Sequence, residues 1–146
     1  MHTDHPFLDP AFSIRWSELT AGHVVPDMTR ALEAGRAAIA AIEALPDGLE
    51  TFANTFLALE KAEETVSLPW TKVRILDEVK DHPELRTAYR TILPKVTDFF
   101  SEIPLNPVLY RKLRQFRDKP EYADLDSVEK RFVEETLKDF TDAGAD

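Results

Sequence analysis

Four histidines, His2, His5, His23 and His82, are the side chains best suited to bind a transition metal. A helical zinc peptidase site needs two histidines four residues apart, so that both imidazoles reach one ion, and a glutamate after the first to activate the bound water. No histidine here is followed by a glutamate, and only His2 and His5 are close in sequence. We therefore predict that this chain contains no metal-binding residue and no catalytic residue.

Other catalytic classes are excluded by composition. With Cys 0, there is no thiol nucleophile, and the 4 glycines are too widely separated to form a phosphate-binding loop. A di-iron bundle site needs a histidine three residues after a glutamate, and no histidine meets that condition. We predict no cofactor-binding residue.

Several polar side chains have two interpretations. Glu63 interrupts an otherwise apolar helical stripe, and Asn54 and Glu60 flank it. These groups either face a cavity or bind amides and cations of neighbouring helices, and the second role is the usual one for buried polar groups. Tyr89 and Tyr110 either line a peptide channel or pack at the edge of a helical core, which is the commoner case.

Charged residues also suggest contacts. Arg86, Glu84 and Glu60 are placed to form an ion-pair network across a helical hairpin. A short cationic patch is interpreted first as a solvated helix face, with an anion or partner contact as the alternative. It comprises Arg111, Lys112, Arg114, Arg117 and Lys119.

The overall charge limits the partners of the chain. Its 27 acidic and 18 basic residues give a net charge of -9, which repels a phosphate backbone and argues against nucleic-acid binding. No signal peptide or membrane-spanning run is recognisable in the 146 residues. The lack of cysteine fits a reducing compartment, so we expect a cytoplasmic protein without a membrane partner.

Two antiparallel helices between Thr51 and Val96 organise the chain. Apolar residues recur at steps of three and four along each, the pattern of a buried helical face. The first helix places Phe52, Phe56, Leu59, Val66, Trp70 and Val73 on this face, and the second places Leu85, Ala88, Tyr89, Ile92, Val96, Phe99 and Ile103 there.

Prolines and caps mark the bends and ends of this hairpin. Pro69 and Pro94 lie inside the helices and are expected to bend them, the first near Ser67 and Leu68, without ending them. In the connecting turn, Asp81 or His82 caps the second helix, and Pro83 suits its first position.

The flanking segments complete an all-α fold of about five helices. Residues 1–20 are predicted to form an extended arm that buries Phe7, Phe12, Ile14 and Trp16 between helices, and residues 21–146 to form one helical domain. A first helix runs from Thr20 to about Leu45, Asn106-Pro107 starts a short helix ending near Arg117, and Asp126 with Glu129 starts a last helix ended by Gly144.

Four blocks in this sequence resemble a known family. TFANTFLALE is similar to the TxENTxxALE block of zinc oligopeptidases of the thimet oligopeptidase, oligopeptidase A and peptidyl-dipeptidase Dcp family, with Ala53 where that family usually has Glu. DHPELRTAYRTILPKVTDFF resembles the next block, and LYRKLRQF and RFVEETLKDFTDAGA resemble the two that follow. The matching residues in the first two blocks are Thr51, Asn54, Thr55, Ala58, Leu59, Glu60, Pro83, Glu84, Leu85, Arg86, Ala88, Tyr89, Leu93 and Pro94.

The resemblance implies a role within a larger enzyme. The chain would be the N-terminal, channel-wall domain of a zinc metallopeptidase that hydrolyses short peptides, with the zinc and catalytic groups outside this fragment. Its expected partners are the remainder of the parent peptidase and, in the full enzyme, short peptides. The alternative is a stand-alone helical protein-interaction module.

Two physical predictions accompany this interpretation. Trp70 lies in phase with the apolar stripe, so we expect it in the core of the hairpin. If the domain belongs to a larger lobe, we expect an apolar patch on the last helix, at Phe132, Val133, Leu137 and Phe140, and self-association of the fragment through it.

Overall fold

The computed structural model describes residues 4–10, 16–80 and 82–145. Over these residues it is all-α with no strand, which confirms the predicted fold class. The α-helices are α1, Ala21–Glu43; α2, Ala58–Val79; α3, Pro83–Glu102; α4, Pro107–Arg117; and α5, Ser127–Asp142. Short 3-10 turns occupy Pro6–Leu8, Trp16–Glu18, Ile103–Leu105 and Pro120–Asp124, and a π-helical turn occupies Ala53–Leu57.

The N-terminal segment is not α-helical over its described residues, but one of its predicted anchors is wrong. Phe7 is fully buried, as expected. Trp16, in the 3-10 turn Trp16–Glu18, instead remains 36% exposed, whereas Leu19 after this turn is 3% exposed. The predictions for Phe12 and Ile14 lie outside the described residues.

The chain divides into two compact units. The first contains the described residues of Met1–Gly35 together with Glu63–Asp98. Its core is apolar and confirms the stripes predicted for this part of the hairpin. The buried side chains are Val24, Met28, Ala31 and Leu32 from α1, Val66, Trp70, Val73 and Leu76 from α2, and Leu85, Ala88, Ile92 and Val96 from α3.

The second unit contains Arg36–Ala62 and the described residues of Phe99–Asp146. Here α4 packs against α5, and the Tyr110 ring stacks on Phe140 with centroids 5.5 Å apart. Val133, Leu137 and Phe140 are at most 4% exposed. The predicted bare patch on the last helix is therefore wrong, because α4 and its neighbours in this unit cover that face.

Internal prolines do not end the helices. Pro26, Pro69 and Pro94 lie within α1, α2 and α3. After Pro69 the buried stripe resumes at Trp70 and Val73, as predicted. The bend expected at Ser67 and Leu68 stays a prediction.

Helix ends follow the capping rules read from the sequence. The Asn106 side chain accepts hydrogen bonds from the amides of Val108 and Leu109, and Pro107 opens α4. Asp126 and Glu129 form a reciprocal capping box at α5. Gly144, with φ +114°, ends that helix in the left-handed region, where a residue without Cβ is unstrained.

The connection between α2 and α3 is described in part. Pro83 takes the first position of α3, as predicted, while the cap proposed for Asp81 lies outside the described residues. Among the described helices, none combines the length and the apolar character needed to cross a bilayer.

Candidate functional site

The segment that begins at Thr51 starts with a local hydrogen-bonded box. The Thr51 amide donates to Asn54 Oδ1 at 2.6 Å, and the Asn54 amide donates to Thr51 Oγ1 at 3.0 Å. Asn54 Nδ2 also donates to the carbonyl of Leu49 at 3.0 Å. Thr51 thus caps this segment, and the Asn54 side chain serves the backbone rather than a cavity.

A π-helical turn follows the cap and was not foreseen. The Leu57 amide donates to the Phe52 carbonyl five residues earlier, at 3.1 Å. The wider turn places Phe52 and Phe56 together against Phe116 and Phe132, with ring centroids 5.9 to 6.3 Å apart. The aromatic cluster stabilises this turn through area burial and edge-to-face contacts.

The loop before Thr51 contains a buried charge cluster. Glu50 is 1% exposed and accepts from the Gly48 amide at 3.0 Å, and Gly48 has φ +93°. Lys112 from α4 is 3% exposed, and its ammonium lies 2.6 Å from Asp47 Oδ1 and 3.7 Å from Glu50 Oε1. Lys119 donates to the carbonyls of Gly48 and Glu50 at 2.9 and 2.8 Å.

This arrangement revises the interpretation of the cationic patch. A solvated face is wrong for Lys112, because its ammonium is buried against two carboxylates of a distant loop. Arg117 lies 3.7 Å from Glu134, whereas Arg111 and Arg114 are exposed. The available signal was its phase, because Lys112 is three residues after Leu109 and four before Phe116, on the buried face of α4.

Two pKa shifts in this unit follow from contacts. The hydrogen bond and the charge of Lys112 lower the pKa of Asp47 below its usual value. Burial raises the pKa of Tyr122, helped by its hydrogen bond to Glu134 at 2.9 Å.

Asp27 is a second buried anchor, in the first unit. Its side chain is fully buried and accepts from the Phe7 amide at 2.9 Å, while His5 Nδ1 lies 2.7 Å from its other oxygen. Lys72 from α2 donates to the Asp9 carbonyl at 2.7 Å. The N-terminal turn Pro6–Leu8 is thus fixed to two helices. The available signal was an aspartate among the apolar residues of α1.

The described histidines lie apart from one another. His5 contacts Asp27, His23 Nδ1 lies 2.7 Å from Thr20 Oγ1, and His82 is exposed, while His2 is outside the described residues. Within the described ranges, no three metal-ligating side chains come together. The described residues therefore do not supply the donor set of a helical zinc peptidase site.

The remaining candidate residues mostly pack. Trp70 is 7% exposed and stacks on Tyr89 with centroids 4.9 Å apart, which confirms its core position and gives Tyr89 a packing role. Tyr110 packs on Phe140. Glu63 is half-buried, and Arg86 is exposed. The ion-pair network proposed for Arg86 stays a prediction.

Comparison with known proteins decides the family. The family described as Neurolysin/Thimet oligopeptidase, N-terminal domain, matches residues 28–146. The chain belongs to this family. The matched residues include the loop before Thr51 with Lys112 and Lys119, whereas Asp27 and the N-terminal turn Pro6–Leu8 lie before the matched range.

Similar proteins carry related names. Oligopeptidase A of Escherichia coli is 30% identical over 140 residues, 96% of this chain, and that of Salmonella typhimurium is 31% identical over 129 residues, 88% of the chain. The organellar oligopeptidase A of Arabidopsis thaliana is 26% identical over 125 residues, 85% of the chain. The chain spans only 20%, 19% and 15% of the lengths of these relatives. What is shared is thus a domain of the neurolysin/thimet oligopeptidase family, not the length of a whole peptidase.

Proposed function

We propose that this chain acts as the N-terminal helical domain of a zinc-dependent oligopeptidase and forms part of the wall of the channel that admits short peptides. The observation that carries the proposal is the family match over residues 28–146, together with relatives named oligopeptidase A. The blocks that contain Thr51 and Pro83 support it, because Thr51 caps the turn that leads into α2 and Pro83 is the first residue of α3.

This domain would shape the peptide channel and would not supply catalytic groups. In the parent, zinc would supply the activated water that attacks the peptide bond, and its ligands would come from residues outside this chain. Within the second unit Lys112 and Lys119 fix the loop before α2, and within the first unit Asp27 and Lys72 fix the N-terminal turn. A rigid wall excludes folded proteins and orients flexible peptides.

The proposed function also implies a cellular location and a division of the chain into an arm and a domain. We propose that residues 1–20 serve as an arm on a helical domain of residues 21–146, and that the parent works in the cytoplasm with short peptides and the rest of its own chain as partners. Cell fractionation followed by detection of the chain tests the location.

The test of the proposed function begins with the reading frame. The gene is sequenced past the codon for residue 146, and the complete frame is expressed and assayed on quenched-fluorescence peptides of different lengths, with and without a chelator. We expect a downstream His-Glu-x-x-His, chelator-sensitive cleavage of short peptides, and no activity in the 146-residue chain alone. A frame that ends here, or a complete protein inactive on all short peptides with zinc present, would refute the proposal.

One observation favours the alternative, a stand-alone interaction module. Val133, Leu137 and Phe140 on α5 are already buried within the second unit, so this helix does not need a further lobe to cover it. A frame ending at residue 146, together with a stable monomer, would establish that alternative.

A further inference from the structure

An apolar groove of about 670 Å³ lies within the first unit, between the N-terminal segment, α1 and α2. Its walls are the end of the N-terminal turn, one face of α1 and about three turns of α2. The lining residues that matter here are Arg30, Ala34, Glu64, Leu68, Lys72 and Ile75. All of them belong to the first unit, so the groove is a feature of that unit alone.

The α2 side of this groove exposes large apolar side chains in a row. Leu68 is 61% exposed and Ile75 is 40% exposed, and Val79, one turn beyond the groove, is 71% exposed. Ile75 and Val79 follow Leu68 by seven and eleven residues, so the three lie on one side of α2 over about 16 Å. A helix face that meets water normally carries polar side chains, and an apolar row of this kind is typical of a surface that another molecule covers.

The spacing of the row favours a helix as the covering molecule. Helices that pack side by side contact each other every three or four residues, and their seam repeats after seven residues. Leu68 and Ile75 have this separation. On the α1 side the groove is lined by Ala31 and Ala34, whose small side chains permit a close approach. An amphipathic helix would lay its apolar stripe along such a groove.

The N-terminal wall of the groove is fixed by the chain itself. The Phe7 amide donates to the buried Asp27 carboxylate at 2.9 Å, and Lys72 donates to the Asp9 carbonyl at 2.7 Å. These hydrogen bonds hold the segment against α1 and α2, so the groove does not need a partner in order to form. A preformed groove binds its partner at a lower cost in conformational entropy.

The charges at the groove fit a partner that carries both signs. Arg30 from α1 and Glu64 from α2 both line the groove, and neither forms an ion pair or a hydrogen bond with another described residue. A nucleic acid or an anionic lipid surface would meet Glu64 with a like charge. A helix with one acidic and one basic residue beside its apolar stripe would complement both side chains.

The relatives indicate the source of such a helix. This chain spans 20% of the length of the oligopeptidase A of Escherichia coli, and the family that it matches is an N-terminal domain. We propose that the groove seats an amphipathic helix from the part of the parent peptidase that follows this domain, with Arg30 facing an acidic residue and Glu64 a basic residue of that helix. This inference rests on the proposed function.

Engineered cysteines test the contact, because the chain itself has Cys 0. Leu68→Cys and Ile75→Cys are made separately in the 146-residue chain and in the complete protein expressed from the sequenced frame. Maleimide labelling of the introduced cysteine is followed by peptide mass spectrometry, and each rate is divided by the rate in urea. We expect both cysteines to be labelled at least about tenfold more slowly in the complete protein than in the 146-residue chain.

A neighbouring buried position supplies the matched control. Leu76 is 1% exposed, so Leu76→Cys should be labelled slowly in both molecules. Rapid labelling of Leu76→Cys in the 146-residue chain would show that the first unit opens on its own, and it would overturn the proposal of a preformed groove.

Charge variants test the two polar contacts. In the complete protein with Leu68→Cys, Arg30→Gln and Glu64→Gln should each raise the labelling rate about threefold, the effect of losing one exposed ion pair. Arg74→Gln removes the same charge from an exposed position of α2 outside the groove and should leave the rate unchanged.

A photo-activated cross-linker attached to Leu68→Cys identifies the occupant. We expect cross-links to residues that follow residue 146, at positions three or four apart, as one face of a helix requires. Cross-links confined to residues of the same domain or to a second copy of it would overturn the proposal.

Three further results would overturn it. They are equal labelling of Leu68→Cys and Ile75→Cys in the two molecules, labelling that is already slow in the 146-residue chain, and charge variants that behave like Arg74→Gln. Cleavage of short peptides is measured on the same complete protein. An active peptidase with an open groove overturns this inference alone, a covered groove in a protein that cleaves no short peptide overturns the proposed function alone, and a frame that ends at residue 146 overturns both.

Discussion

Removing the buried cation of Lys112 should destabilise the second unit strongly. Its ammonium lies 2.6 Å from Asp47 and 3.7 Å from Glu50, but the two carboxylates differ in exposure, 78% for Asp47 and 1% for Glu50. Solvent screens the Lys112–Asp47 pair, so this pair contributes little to the free energy of unfolding. Lys112→Met leaves the buried Glu50 carboxylate with only the Gly48 amide, and breaking a buried pair in this way costs about 3 to 5 kcal/mol.

The reasoning predicts a definite order among variants. Lys112→Met should lower the urea midpoint far more than Asp47→Asn, and Lys112→Met with Glu50→Gln should recover most of the loss because a neutral amide can still accept from Gly48. Arg131→Met, which breaks an exposed pair with Glu135, is the control and should stay near the parent midpoint.

Equilibrium urea unfolding followed by circular dichroism measures these differences, with the slope checked for two-state behaviour. A loss below about 1 kcal/mol for Lys112→Met would show that burial of Glu50 does not depend on the cation. Equal effects of Lys112→Met and Asp47→Asn would refute the assignment of the loss to Glu50.

Four further predictions rest on separate observations. Trp70→Ala should cost about 3 to 5 kcal/mol in urea unfolding because it leaves a cavity in the first unit, and a loss below about 1 kcal/mol would contradict its core position. Asp27→Ala should cost about 1 to 3 kcal/mol by leaving the buried Phe7 amide unpaired and should expose residues 5–9 to limited proteolysis, so unchanged protection would exclude the anchor. Because the pKa of Asp47 is lowered, its carboxylate stabilises the folded chain above the unfolded pKa of 3.8, and this stabilisation is lost as the pH falls through the lower pKa of the folded chain. Asp47→Asn lacks this titration, so on acid titration its free energy of unfolding should fall less over that range than that of the parent chain. Self-association of the fragment has lost the α5 surface on which it was predicted, because Val133, Leu137 and Phe140 are buried, so it stays a prediction without an assigned surface. Sedimentation over about a hundredfold concentration range tests it, and a strictly monomeric species at all concentrations would contradict it.

Local features of the fold were predictable because their causes are local. The stripes containing Phe56, Trp70 and Ile92 follow the helical period, and all three side chains are buried. Asp126, Glu129 and Asn106 mark helix starts because their side chains reach amides only two or three residues away. Pro107 suits the first helical position because it has no N–H to satisfy there. A hydrogen-bond partner only two or three residues away can be predicted from the sequence alone.

The predictions for Trp16 and for α5 were wrong because they judged burial from residue type alone, without the helices that pack nearby. Trp16 is a large aromatic residue, yet it stays 36% exposed while the nearby Leu19 is 3% exposed. The apolar residues of α5 spread beyond one narrow stripe, which suggested a bare face, but helices of the second unit cover them. Hydrophobicity predicts that a side chain favours burial, whereas the packing of other elements decides which ones are buried.

The sequence by itself determined the all-α class, the starts of α3, α4 and α5, the family and the lack of a His-Glu-x-x-His motif, because each depends on residue type and short spacing. Only the tertiary structure decided the roles of polar side chains far apart in the chain. Lys112 meets Glu50 across about sixty residues, and Asp27 meets Phe7 across twenty. A charge becomes a buried anchor or a solvated surface group according to which partner the fold brings within hydrogen-bonding distance, and no local pattern records that partner.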